Sequence, residues 1–197
     1  MSRDTESELL FASYCRTYGL DFKRIAVGPK PTPDYRFSAG GVEVFVEIKQ
    51  IESTRGLNPN GVSSRTVGNH VRSMISEARK QIQAAAREDH PSILLIYNKV
   101  DEPFQSFGTE SHDFIAAMYG ELTVRLVDGR ASGSYQGRNA KLHPEKNTSF
   151  SAVGHLRRTE VGADVTIYEN VYAKWPLPYA SLPNCIEVVR VEVENAK

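Results

Sequence analysis

The 197-residue chain has only two cysteines, Cys15 and Cys185, and no net charge, because 24 Lys and Arg balance 24 Asp and Glu. Each scarcity excludes something. Two thiols cannot build a disulfide framework or a four-cysteine zinc cluster, and the opening MSRDTESELL lacks the basic and apolar regions of a secretory signal, so a reduced, cytoplasmic protein is expected. No apolar run approaches the roughly 20 residues needed to cross a bilayer. The longest is Ile93-Leu94-Leu95-Ile96, and no membrane partner is expected. Zero net charge, taken at face value, argues against a polyanionic partner. What is present, 40% hydrophobic residues in a chain of this length, suffices for one domain around a real core.

Thr5 to Tyr18 sets Leu10, Tyr14 and Tyr18 four residues apart and stops at Gly19, which predicts an amphipathic helix; Thr5 and Glu8 have capping-box spacing. Lys23 to Val27 reads as a short strand, and the three prolines between Gly28 and Pro33 force a loop that leads to Asp34. From there Tyr35, Phe37, Val42, Val44, Val46 and Ile48 alternate about Gly40-Gly41, a hairpin signal. Val71, Met74, Ile75, Ala78, Ile82 and Ala85 form the apolar stripe of a helix that ends near Glu88. Ser92 to Tyr97 then has the composition of a strand buried on both faces. Further on, His112 to Tyr119 reads as helix, Leu122 to Val127 as strand, and Arg130 to Asn147 as a long polar loop or flap. Phe150 to Leu156, Asp164 to Tyr168 and Cys185 to Val193 read as strands, with Trp175 to Pro178 a rigid connector. No repeat or linker divides the chain, so residues 1–197 are expected to form a single α/β domain.

The hairpin register carries the chemistry. With the two glycines at the turn, Tyr35 faces Val46, Phe37 faces Val44 and Ala39 faces Val42. The other face then sets Asp34 opposite Glu47, with Cβ atoms about 4.5 to 5.5 Å apart. Lys49 points the same way, since strand side chains alternate with period two. Two acids so placed repel, and a divalent cation removes the repulsion while using both as hard oxygen ligands. Such a face suits phosphodiester hydrolysis: the ion polarises the phosphate and acidifies an attacking water, and the ammonium steadies developing charge. A charged hairpin face that simply meets solvent would show the same residue types.

Pro33-Asp34 followed by Glu47-Ile48-Lys49, within a helix, three strands, helix, strand order, resembles the PD-(D/E)xK nuclease superfamily over about residues 5–97. The resemblance implies a restriction-endonuclease-like core, a central mixed sheet flanked by helices, with a strand-rich extension over about residues 98–197. It implies a Mg²⁺-dependent nuclease, with Mn²⁺ as substitute, in which Asp34, Glu47 and the Ile48 carbonyl bind metal and Lys49 assists catalysis. By the same resemblance Glu8 of the first helix joins the metal ligands and Gln81 of the later helix joins the catalytic set, although Glu8 also has its capping role.

Balanced charge conceals segregation. Residues 51–87 hold Arg55, Arg65, Arg72, Arg79, Lys80 and Arg87 against two acids, and residues 125–158 hold seven basic residues, including Arg138 and Lys141, against two. Arg55, Arg65, Arg72, Arg79, Arg138 and Lys141 are therefore candidate nucleic-acid contacts, with Tyr135 and Phe150 as candidate stacking residues. DNA is the expected substrate ahead of RNA. A nuclease-fold protein that binds nucleic acid or a protein without cutting is the main alternative; a metal-free carboxylate pair is a third and leaves Lys49 without a role. A homodimer would permit paired cuts on two strands, but no coiled-coil pattern signals one. His112, His143 and His155 lack metal-ligand spacing.

Overall fold

A capping box starts the first helix: the Thr5 hydroxyl accepts from the Glu8 N–H, and the Glu8 carboxylate accepts from the Thr5 N–H at 2.6 Å. In the computed structural model, which describes residues 4–52, 65–99 and 108–192, this helix is α1 (Glu6–Thr17). It is followed by β1 (Phe22–Arg24), β2 (Tyr35–Ala39) and β3 (Val42–Ile51). Gly40 and Gly41 have φ of 57° and 82°, the two left-handed conformations that a type I′ hairpin turn needs. The turn sets the register Tyr35 to Val46, Phe37 to Val44 and Ala39 to Val42. A parallel neighbour for β3 requires a crossover. Within that connection α2 (Asn69–Arg87) packs on β3 and β4 (Ser92–Asn98) through fully buried Val71, Ile75, Ala78 and Ile82.

The remaining elements are α3 (Ser111–Tyr119), β5 (Leu122–Val127), β6 (Arg130–Gln136), β7 (Ala152–Thr159), β8 (Gly162–Glu169) and β9 (Ile186–Val189). The main sheet runs β1-β2-β3-β4-β7-β8-β9, with β4 parallel to both neighbours and β7-β8 antiparallel. The fold is thus α/β, a mixed central sheet flanked by helices. One core joins α1 to the inner face of β2, β3 and β4 through Phe11, Tyr14, Val44, Val46 and Leu95. The other joins α2 and α3 to the opposite face through Ile75, Ile82, Leu94, Ile96 and Phe114. Every residue of β4 is buried, which explains its continuous apolar run. Among the described residues no helix is long and apolar enough to cross a membrane.

Several expectations need correction. The stretch from Arg130 to Asn147 is not one long loop: its first part is β6, paired antiparallel with β5 in a separate two-stranded sheet. Arg130, Ser132 and Ser134 give no apolar alternation because both faces of this ribbon are largely exposed. The usable signal is Asp128-Gly129, with φ of 51° and 77°, a second type I′ turn. The first strand is shorter and earlier than Lys23 to Val27, and the last ends at Val189. Phe150 is fully buried, in the core of the α2 and α3 face, and cannot stack on a base.

Candidate active site

Strand alternation determines where the hairpin's acids point. Glu47 and Lys49 lie beside Leu94 and Ile96 of β4, residues of the α2 face, so both side chains emerge between β3 and α2. Asp34, one residue before β2, receives the Ile48 N–H on its Oδ2 at 2.8 Å. Gln81 arrives from α2, and Glu8 from the first turn of α1. The α1 turn is pinned to the same strand by the Ser7 N–H, which donates to Gln50 Oε1 at 2.9 Å. Asp34, Glu47, Ile48, Lys49, Gln81 and Glu8 all line one recess of about 860 Å³, walled by the proline-rich segment before Asp34.

The electrostatics of this recess are unusual for a surface. Glu47 is 2% exposed, and burial, reinforced by the Asp34 charge, pushes its carboxyl up to about 7 against the opposing Lys49 ammonium. Burial also raises Asp34, partly offset by the Ile48 N–H. Lys49 Nζ lies 2.7 Å from Glu47 Oε1. Glu47 Oε2 and Gln81 Oε1 are buried without a hydrogen-bond partner among the described residues. Two orphaned oxygen acceptors facing one recess carry a cost of about 1–3 kcal/mol each unless a ligand or water meets them. Hard oxygen donors with spare lone pairs are what a Mg²⁺-class ion takes, so the residues present fit such an ion.

Glu8 already has partners for both of its oxygens. Its Oε1 is ion-paired with Arg24 Nη2 at 3.0 Å, while Oε2 stays in the capping box. Among the described residues the one group that brings three ligand atoms within 4.8 Å of one another is Glu110, His112 and Asp113 at the start of α3, which could hold a metal ion. Glu8, Asp34 and Glu47 are therefore more widely spaced. None of the α3 group lines the recess, and Arg65 already pairs with both of its carboxylates. His112 thus does belong to a group with ligand spacing, which sequence spacing to the other histidines could not reveal.

The candidate nucleic-acid contacts divide. Arg72 is 7% exposed and donates to the carbonyls of Val67, Ala116 and Asn139, so it ties α2 to α3 and does not meet phosphate. On a helical wheel it sits at the edge of the apolar stripe, and only the tertiary contact with α3 covers it. Arg72→Ala is expected to cost about 2–4 kcal/mol, because it removes three hydrogen bonds from a buried charged group that ties α2 to α3, and to leave nucleic-acid affinity unchanged once folded. Urea denaturation followed by a binding titration checks both. Arg65 is likewise committed, to Asp113 and Glu110. Arg79 and Arg138 are exposed, Lys141 is half-buried, and Arg55 lies outside the described residues. Arg79, Arg138 and Lys141 do not line the recess. The cations that do so, besides Lys49, are Arg24 and Lys30. Arg24 is not a candidate from the sequence, because its place next to Asp34 follows from the β1-β2 register, Arg24 opposite Tyr35, which no local pattern announces.

Comparison of the chain with models of protein families, with curated proteins and with solved structures gives no match in any of the three.

Proposed function

We propose that the protein is a divalent-metal-dependent nuclease of the PD-(D/E)xK type, acting on DNA ahead of RNA, with the recess around Asp34, Glu47 and Lys49 as its active site. One observation carries the reading: Asp34, Glu47, Lys49 and Gln81 share a recess in which Glu47 Oε2 and Gln81 Oε1 are buried and unpartnered. The order of elements supports it, since α1, the meander β1-β2-β3, the crossover α2 and the parallel strand β4 follow the sequence expected of a restriction-endonuclease-like core.

In this reading Asp34, Glu47 and the Ile48 carbonyl hold Mg²⁺ or Mn²⁺. When bound, the ion polarises the phosphate and lowers the pKa of the attacking water. The chain's own groups do the rest. The Ile48 N–H fixes the Asp34 carboxylate, so the acid needs little rearrangement to act as a ligand. Lys49, 22% exposed, presents an ammonium from the floor of the recess to a phosphate oxygen. Gln81 offers a free acceptor that can orient a water.

The test incubates purified protein with single-stranded, duplex and branched DNA and with RNA, each in Mg²⁺, Mn²⁺ or EDTA. Cleavage in metal and none in EDTA is expected. Binding without cleavage under every condition would favour the non-cleaving alternative and overturn the enzymatic reading.

A further inference from the structure

We propose that Arg24 is a second phosphate-binding cation of the recess, stored on Glu8 until a divalent cation takes that carboxylate; the proposal rests on the metal-dependent reading above. Its ligand is a phosphodiester oxygen of the bound nucleic acid.

Among the described residues three cations line the recess, and two of them already touch an acid. Lys49 lies 2.7 Å from Glu47, and Arg24 lies 3.0 Å from Glu8. In each pair the acid is one that the resemblance makes a metal ligand. A divalent ion arriving at those carboxylates competes for the same lone pairs and repels the cation that held them. The displaced positive charge then stands beside the position a phosphate must take. The two pairs are thus parallel, and the role expected of Lys49 extends to Arg24 by the same electrostatics.

Arg24 is built for exchange. It is the last residue of edge strand β1, and its side chain is 39% exposed, so it can reorient without emptying a packed site. Asp4, its other partner, pairs with the guanidinium through Nη1 and retains it once Glu8 is withdrawn. A planar guanidinium matches the paired oxygens of a phosphate as well as those of a carboxylate. Arg72, buried on three carbonyls, has none of these properties. The ion pair engages the Glu8 oxygen that is free of the capping box.

Three variants test this, Glu8→Gln, Arg24→Gln and the double substitution. Gln keeps the capping box at position 8, so α1 retains its start. Binding of a fluorescein-labelled DNA strand is followed by anisotropy in EDTA, where no metal-dependent step intervenes. Glu8→Gln releases one of the two acids that hold the guanidinium, leaving Asp4 on Nη1, and is expected to tighten binding about tenfold and steepen the salt dependence by about one charge. The double variant should lose that gain, which separates release of Arg24 from mere removal of a negative charge. Calorimetric titration with Mg²⁺ supplies the second readout: Arg24→Gln should bind the ion more tightly than the wild type, because its competitor is gone. An unchanged DNA affinity in Glu8→Gln, a gain that survives in the double variant, or weaker Mg²⁺ binding in Arg24→Gln would each overturn the proposal. If the wild type cuts DNA in metal while any of these occurs, the fault lies with Arg24 alone. If it neither binds Mg²⁺ nor cuts, the nuclease reading fails.

Discussion

Asp34→Asn is expected to lower metal-dependent cleavage by about a thousandfold or more, with the fold intact. The asparagine keeps an oxygen that can accept the Ile48 N–H, so the turn into β2 is preserved, but it removes one of the charges that make the recess a cation site. Lys49→Ala should cost about 100- to 1000-fold, the range found when one electrostatic donor to a developing charge is removed. The two losses should also differ in kind. Raising the metal concentration should partly rescue Asp34→Asn, whose defect is in ion binding, and should do nothing for Lys49→Ala. Single-turnover cleavage across a Mn²⁺ series reads both. Cleavage that persists undiminished in either variant would place the active site elsewhere or point to a contaminating enzyme.

The second large effect is on stability and its pH dependence. Burial raises the Glu47 carboxyl to about 7 from an ordinary 4.5. Between those values the folded protein holds a proton that the unfolded chain has released, so stability falls as pH rises through that window and levels off above about 7. The shift corresponds to about 3 kcal/mol. Glu47→Gln keeps the shape, removes the charge, and should raise stability in EDTA at about pH 8 by about 2 kcal/mol, with little change near pH 4.5. Added Mg²⁺ should stabilise the wild type at the higher pH and leave the variant unmoved, since an ion bound only by the folded state stabilises by mass action. Urea midpoints at the two pH values, with and without Mg²⁺, give the comparison. A variant less stable than the wild type at about pH 8 would mean that Glu47 is held charged by partners other than the ion.

On this account the site costs the empty protein stability, as residues present for a ligand would. A hairpin serving the fold alone would place an apolar residue at position 47, beside Leu94 and facing α2, where the rest of the α2-face core is apolar. The local chemistry of the turn makes this placement legible in the amino-acid sequence. Gly40-Gly41 forces one register, which runs to Tyr35 opposite Val46 with Asp34 and Glu47 the next residues on each side, and period two carries Lys49 to the side of Glu47. The α2 stripe and the buried run of β4 are legible for the same reason, since each is written in a local period.

What is not legible depends on contacts between distant segments. Arg72 reads as a solvated arginine until α3 closes over it, and Arg65 as a basic surface charge until Asp113 and Glu110 approach. Nothing near Arg24 announces that α1 will bring Glu8 against it. β5 is legible as Leu122 to Val127, but β6 escapes because its exposed faces impose no hydrophobic alternation. The basic segments illustrate the limit best. Their excess of positive charge is real, but two of the arginines are spent on holding α2, α3 and their connections together. Among the described residues the recess recruits a cation from neither segment.

The central claim is that Asp34 and Glu47 form a divalent-cation site. Calorimetric titration of Mn²⁺ into the wild type, Asp34→Asn, Glu47→Gln and Glu110→Gln at about pH 8, where Glu47 is ionised, tests it directly. The account predicts one site in the wild type that is lost or strongly weakened in Asp34→Asn and Glu47→Gln and retained in Glu110→Gln. Binding that survives both recess variants and disappears with Glu110→Gln would contradict it.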